Sequence, residues 1–128
     1  MQERWTKQKS VIYDTLKMLD HPTATEVYAC LHERYPSISR ATVFRVLSGF
    51  ALGGKALELR VAGTDVRYDY NVEKHCHVHC KRCGRVADIL TEDVPLPKLS
   101  VKGMGFSVES CSMEFFGICE ECASEINA

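Results

Sequence analysis

The chain has 128 residues, 45% hydrophobic and 26% charged, with 16 basic against 17 acidic side chains. These are ordinary globular values, so collagen-like, coiled-coil and wholly disordered chains are excluded. No apolar run approaches the roughly 20 residues of a membrane helix, and the first residues carry no apolar leader core, so a cytoplasmic protein without a membrane partner is expected.

Residues 5–19 place Ile12, Leu16 and Leu19 at helical spacing, with Val11 beside them, and His21-Pro22 breaks the pattern. Thr23-Ala24-Thr25-Glu26 matches a capping box, in which the Thr hydroxyl takes a helix-start N–H and the Glu reaches back. Val27, Tyr28, Leu31 and Tyr35 form the apolar stripe of a second helix, stopped by Pro36. Ser39 is the next N-cap, followed by a core stripe of Val43, Val46, Leu47 and Phe50 and by Gly53-Gly54 as terminator. The opposite face of this third helix shows Arg40, Thr42, Phe44, Arg45 and Ser48. Arg can bond phosphate or guanine, and Thr or Phe can pack on a thymine methyl. Taken alone, such a face is more often merely solvated.

Context changes that weighting. Leu57, Leu59 and Val61 alternate with Glu58 and Arg60, a turn follows at residues 62–65, and Val66, Tyr68 and Tyr70 alternate with Arg67 and Asp69. That is a β-hairpin. Three short helices and a hairpin make a winged helix-turn-helix with the third helix as reader. Charge agrees weakly: residues 1–60 hold nine Lys or Arg and six Asp or Glu, and residues 61–128 hold seven and eleven.

The second half is rich in metal donors. Six of the seven Cys and three of the five His lie between His75 and Cys122. Cys80-x-x-Cys83 and Cys119-x-x-Cys122 form two knuckles, and a two-residue gap lets both thiolates of a knuckle face one ion. The expectation is a closed, structural zinc site made of these four cysteines. In zinc-finger peptides such a site is worth about 10–16 kcal/mol, enough to let a small half-chain fold on a thin core. His75, His77 and His79 alternate along a strand and share one face, Asp88 follows on a partner strand, and Asp69 ends the hairpin. Imidazoles and carboxylates suit Fe2+, Mn2+ or Zn2+. From spacing alone, a second metal site and a row of surface histidines explain the pattern equally. Strand alternation turns Cys76 away from His75 and His77.

Six segments together resemble the ferric-uptake-regulator family of metal-dependent repressors. They are Arg4-x-Thr6-x-Gln8-Lys9, His21-Pro22-Thr23-Ala24, Ala41-Thr42-Val43-Phe44-Arg45-x-Leu47, Arg67-Tyr68-Asp69-Tyr70, His75-Cys76-His77-x-x-Cys80-x-x-Cys83-Gly84 and Gly117-Ile118-Cys119-x-x-Cys122. The resemblance implies an α+β homodimer: a winged-helix DNA-binding domain with hinge over residues 1–70 and a zinc-containing α/β dimerisation and metal-sensing domain over 71–128. It implies a regulatory Fe2+ or Mn2+ held by His21, Asp69, His75, His77 and Asp88. Only the resemblance makes His21 a ligand.

Asp at position 88 resembles the peroxide-sensing branch, where iron-sensing members usually have Glu. For that branch the implied signal is hydrogen peroxide, read by iron-catalysed oxidation of a ligand imidazole, here His21 or His75, with release of a palindromic double-stranded operator. The chain departs from the family at Phe44, where Tyr is usual, at Cys111, where His often stands, and at the additional His79. The rival readings are an iron- or other-metal-responsive uptake regulator of the same family, a thiol redox protein using a Cys-x-x-Cys pair, and a zinc-ribbon interaction module. The implied repressor is not an enzyme.

Overall fold

The structure, a computed structural model, describes residues 5–61, 63–73, 75–89, 105–106 and 113–127. Contacts divide the chain into two compact units, the first ending at Glu73 and the second beginning at Lys74. The elements are helices and small sheets, so the chain is α+β.

In the first unit α1 spans Lys7–Met18, α2 Ala24–Leu31 and α3 Arg40–Leu52. Each begins on a hydroxyl cap, because the first N–H groups of a helix have no intrahelical acceptor. Thr6 Oγ1 accepts from the Lys9 N–H at 3.2 Å and Ser39 Oγ from that of Thr42 at 3.1 Å. At α2 the full capping box forms: Glu26 N–H reaches Thr23 Oγ1 at 3.1 Å and the Thr23 N–H reaches Glu26 Oε1 at 3.4 Å. The sequence stripe carried α2 on to Tyr35, but the helix ends at Leu31. Pro36 disfavours helical backbone at Tyr35. The chain turns instead, with Tyr35 N–H on Leu31 O at 3.0 Å and Ile38 N–H on Tyr35 O at 3.1 Å. That turn buries Ile38 and delivers Ser39 to cap α3.

Ile12, Leu16, Val27, Val43, Leu47 and Phe50 form the centre of one apolar cluster shared by the three helices. Burial of such side chains is worth about 1.5–3 kcal/mol each. Trp5 stacks on Phe50 with ring centroids 5.1 Å apart and meets the edge of Tyr13 at 5.0 Å, closing one end of the cluster.

Strands β1 (Leu57–Leu59) and β2 (Arg67–Asp69) pair antiparallel, with Leu57 opposite Asp69, Glu58 opposite Tyr68 and Leu59 opposite Arg67. Directly opposed residues share a face. The two apolar rows expected from alternation therefore lie on opposite faces: Leu57 and Leu59 accompany Asp69 and Arg67, and Tyr68 accompanies Glu58. Strand β2 also bonds backward along the chain, through Tyr68 N–H to Pro22 O at 2.8 Å and a bridge between Thr23 and Arg67. This pairing fixes the segment around His21.

The second unit holds β3 (Cys76–Cys80), β4 (Val86–Ile89), β5 (Glu114–Gly117) and α4 (Glu120–Ile126). Its sheet order is β4-β3-β5, antiparallel on one side of β3 and parallel on the other. The tight reversal between β3 and β4 is completed by Gly84, whose φ of 80° suits a residue without Cβ. Cys111 lies outside the described residues.

Candidate metal centre and nucleic-acid interface

The two Cys-x-x-Cys knuckles converge within the second unit. One sulfur from each of Cys80, Cys83, Cys119 and Cys122 lies within 4.8 Å of the others. The Cys83 and Cys119 sulfurs are 3.7 Å apart, far beyond a disulfide bond of about 2.05 Å. Four sulfurs on a tetrahedral zinc at about 2.3 Å would stand about 3.8 Å from one another. The first knuckle is the β3–β4 reversal, held by Gly84 N–H to Cys80 O at 3.0 Å and Cys80 N–H to Arg85 O at 2.8 Å. The second is the entry to α4. Arg82 ties the two together, its Nη1 donating to Cys122 O and Glu125 Oε2, each at 3.0 Å.

The thiols are not equivalent. The Cys119 backbone N–H, 3.3 Å from Cys80 Sγ, is the main influence holding the Cys80 thiol down at about 6 against an ordinary 9.0. Burial, followed by the neighbouring thiols, pushes Cys122 up to about 12. Four sulfurs this close cannot all be thiolates without a compensating cation, and a coordinated thiol is deprotonated outright. The donor set fits a closed structural zinc site.

A second donor group lies on the opposite side-chain row of the same sheet. His77 stands directly opposite Asp88, so both project from one face. His75 precedes β3 on that row. Both imidazoles converge on one carboxylate oxygen: His75 Nε2 is 3.1 Å and His77 Nε2 3.3 Å from Asp88 Oδ1. Their rings are 4.4 Å apart, edge to face. Donor atoms on one ion, with bonds of about 2.1 Å at 90–109°, stand about 3.0–3.4 Å apart. The spacing fits a divalent cation.

His21 and Asp69 meet in the first unit, with His21 Nε2 3.4 Å from Asp69 Oδ2. His21 has a φ of 46°, in the left-handed region that a residue with a Cβ adopts at a cost of about 1–3 kcal/mol. The surroundings hold it there. Arg67 Nη1 donates to His21 O at 2.9 Å, and β2 grips Pro22 as described. On the ring, Nδ1 donates to Asp20 Oδ1 at 2.5 Å. A carboxylate on Nδ1 fixes the tautomer and leaves the Nε2 lone pair for a metal. Asp20 and Arg67 were not singled out from sequence. Asp20 is adjacent to His21, and Arg67 lies inside a segment already quoted, but nothing local marks either as a support.

His79 shares the row of His75 and His77 but has a different partner. Its Nε2 lies 2.5 Å from Glu114 Oε2, and its ring stacks on Phe116 at 5.5 Å. Cys76 is buried on the opposite row.

On α3, Arg40, Phe44 and Arg45 are exposed, and Thr42 is half-buried. Arg40 lies over the Phe44 ring at 5.3 Å and donates to Thr25 Oγ1 at 3.0 Å. The Thr42 hydroxyl accepts from Ser39 Oγ at 2.9 Å, so it also serves the helix cap.

The ferric uptake regulator family model matches residues 1–116. This chain belongs to the ferric uptake regulator family. Among its relatives, the peroxide-responsive repressor PerR of Staphylococcus epidermidis is 34% identical over 108 residues, covering 84% of this chain and 72% of the relative. The peroxide operon regulator of Bacillus subtilis is 31% identical over 126 residues, 97% of this chain and 87% of that one. The crystal structure of the Campylobacter jejuni peroxide stress regulator superposes with a TM-score of 0.70 at 29% identity, over 90% of this chain and 88% of that chain. The iron-containing ferric uptake regulator structure from Francisella tularensis shares the fold, with a TM-score of 0.75 at 20% identity over 96% and 98% of the two chains. Family members are transcriptional regulators, and the described residues of this one include two groups of metal donors.

Proposed function

We propose that this protein is a dimeric, metal-dependent repressor of the peroxide-sensing type. The observation that carries the reading is the convergence of His75 and His77 on one oxygen of Asp88, in a chain similar to a peroxide-responsive repressor, a peroxide operon regulator and a peroxide stress regulator. Residues 1–70 form the winged-helix DNA-binding domain with hinge, and 71–128 the dimerisation and sensing domain. Zn2+ sits on Cys80, Cys83, Cys119 and Cys122 and is structural. The regulatory Fe2+ or Mn2+ is held by His21 and Asp69 from the first unit and His75, His77 and Asp88 from the second. A ligand set drawn from both units favours one arrangement of the DNA-binding domains, and its differential affinity couples metal to DNA.

Bound Fe2+ supplies the reduction of hydrogen peroxide that yields a short-lived oxidant. His21 and His75 are the imidazoles placed to receive it. Conversion of either to 2-oxo-histidine removes a neutral ring nitrogen from the ligand set. The set then no longer joins the two units, and the operator is released. Support for His21 lies in its strained backbone and its oriented ring, the marks of a site where geometry is held for function.

The deciding experiment is peptide mass spectrometry after hydrogen peroxide treatment of Fe2+-loaded protein, with a Mn2+-loaded control. One added oxygen on His21 or His75, seen only with iron, is the expected result. Unmodified histidines, with operator release following metal concentration alone, would make the protein a metal-uptake regulator instead. Oxidation confined to cysteines would favour a thiol switch.

Arg40, Thr42, Phe44 and Arg45 are the proposed operator contacts, with the two-fold axis of the dimer mirrored in the half-sites. Arg45→Ala is expected to weaken operator binding by about 1–3 kcal/mol if Arg45 reads a base, leaving the dimer intact by sedimentation. Unchanged binding in a gel-shift titration would remove Arg45 from the interface.

A further inference from the structure

Among the described residues, nothing packs against one glycine of α3. Gly49 lies in the helix interior, where Gly is among the poorest choices. It is exposed, and a Cβ built there would meet no atom of the described residues within 4 Å, so no packing among them calls for a missing side chain. Glycine is the residue that lets another backbone or a ligand approach closely.

What lies around Gly49 indicates the ligand. Arg45, Ser48, Gly49 and Leu52 follow one another at helical spacing along a single stripe of α3. This stripe forms one wall of an open cleft of about 440 Å³ within the first unit. Trp5 and Lys9 at the start of α1 form the other wall, and Lys55 lies beyond the end of α3. Lys9, Arg45 and Lys55 thus stand around the glycine, and none of the described lining residues is acidic. The walls between the cations are apolar: Trp5 is fixed by its stacking on Phe50, and Leu52 is 92% exposed. Arg45 and Ser48 belong both to this cleft and to the exposed face carrying Arg40 and Phe44.

We infer that this cleft seats the sugar-phosphate backbone of the DNA beside the bases met by the neighbouring face of α3. Lys9 and Lys55 would neutralise phosphates, Arg45 would stand where the backbone contacts meet the bases, and Gly49 would leave room for the strand to approach the helix. The inference rests on the DNA-binding reading above and deepens it. It assigns Lys9, Gly49 and Lys55 to sequence-independent contact, which positions the protein without specifying bases.

The test uses the intact Mn2+-loaded protein and a duplex selected in vitro by the wild-type protein. Binding is titrated over a range of salt concentrations for wild type, Lys55→Gln and Gly49→Ala. Each phosphate contact contributes about 0.9 to the slope of log K against log salt. Lys55→Gln should therefore flatten the slope by about 0.9 per protomer, while preference for the selected duplex over a scrambled one is unchanged. Gly49→Ala should raise the melting temperature by a few degrees, because Ala is the better helix former. The same change should weaken DNA binding about tenfold, or about 1.4 kcal/mol. Opposite signs for stability and affinity exclude misfolding as the cause. If wild type binds and both variants keep its slope and affinity, the cleft proposal fails and the DNA-binding reading survives. A cleft that served an acidic protein segment would give that result. If the wild type binds no duplex, both readings fail together.

Discussion

Cys119→Ser should leave the protein without its structural zinc and abolish the stable dimer. In zinc-finger peptides the metal is worth about 10–16 kcal/mol at neutral pH, whereas the whole net stability of a domain is about 5–15 kcal/mol. Loss of one sulfur therefore removes a term comparable with the stability of the second unit. The local geometry sharpens the expectation. Cys119 sits at the junction of β5 and α4, and its N–H bonds Cys80 Sγ, so this residue joins the two knuckles through backbone and side chain alike. Arg82 remains as a tie between them, but its bond to the exposed Glu125 is a surface ion pair of the kind worth at most about 1 kcal/mol. Metal analysis, thermal melting and sedimentation of the variant check the claim. A zinc-free Cys119→Ser dimer melting with the wild type would refute a structural role for the site.

The second large effect is expected at His77. This residue is 3% exposed, lies directly opposite Asp88 and shares that carboxylate with His75. His77→Ala removes one of the nitrogens converging there. Loss of a residue that merely orients a ligand costs about 10–100-fold in metal affinity, so loss of a donor should cost more than about 100-fold. Since a ligand shifts a conformational equilibrium only by its differential affinity, metal-dependent DNA binding should disappear with it. His79→Ala is the matched comparison from the same strand and the same row. His79 is engaged with Glu114 and Phe116, so its replacement should leave regulatory metal affinity near that of wild type. Isothermal titration with Mn2+ measures both. Wild-type affinity in His77→Ala would remove His77 from the ligand set, and equal losses in both variants would trace the effect to the strand.

The helix starts at Thr23 and Ser39 and the core stripe of α3 are legible in the sequence, because caps and amphipathic spacing involve residues three or four apart; the cap at Thr6 was not read from it. The assembly of the four cysteines could be anticipated from the short spacing within each knuckle. Pairing at His21 could not be read from spacing; only the family resemblance placed His21 with Asp69. The ring meets Asp69 across 48 positions of sequence, and its backbone is held by Arg67, which is nearly as distant. The end of α2 also departs from what the stripe alone implies. Tyr35 has the right spacing to extend that helix, but Pro36 and the burial of Ile38 turn the chain sooner.

The sequence by itself determined the three helices and the hairpin of the first half, the strands that became β3 and β4, where α2 and α3 begin, and which cysteines pair into knuckles. Each depends on interactions within one turn of helix or one tight reversal, and residue type and spacing settle them. Strand β5 and helix α4 came only from the structure. The tertiary structure decided which faces meet. Alternation identified apolar rows in the hairpin, but the register of β1 on β2 put Leu59 beside Arg67 and Tyr68 beside Glu58. By spacing alone the three alternating histidines, His77 and His79 on β3 and His75 just before it, were equivalent; only the family resemblance set His79 apart. Asp88 from β4 then lies with His75 and His77, while Glu114 from β5 takes His79. Register between strands distant in the chain is fixed by the packing of the whole sheet, a quantity that no short window of sequence contains.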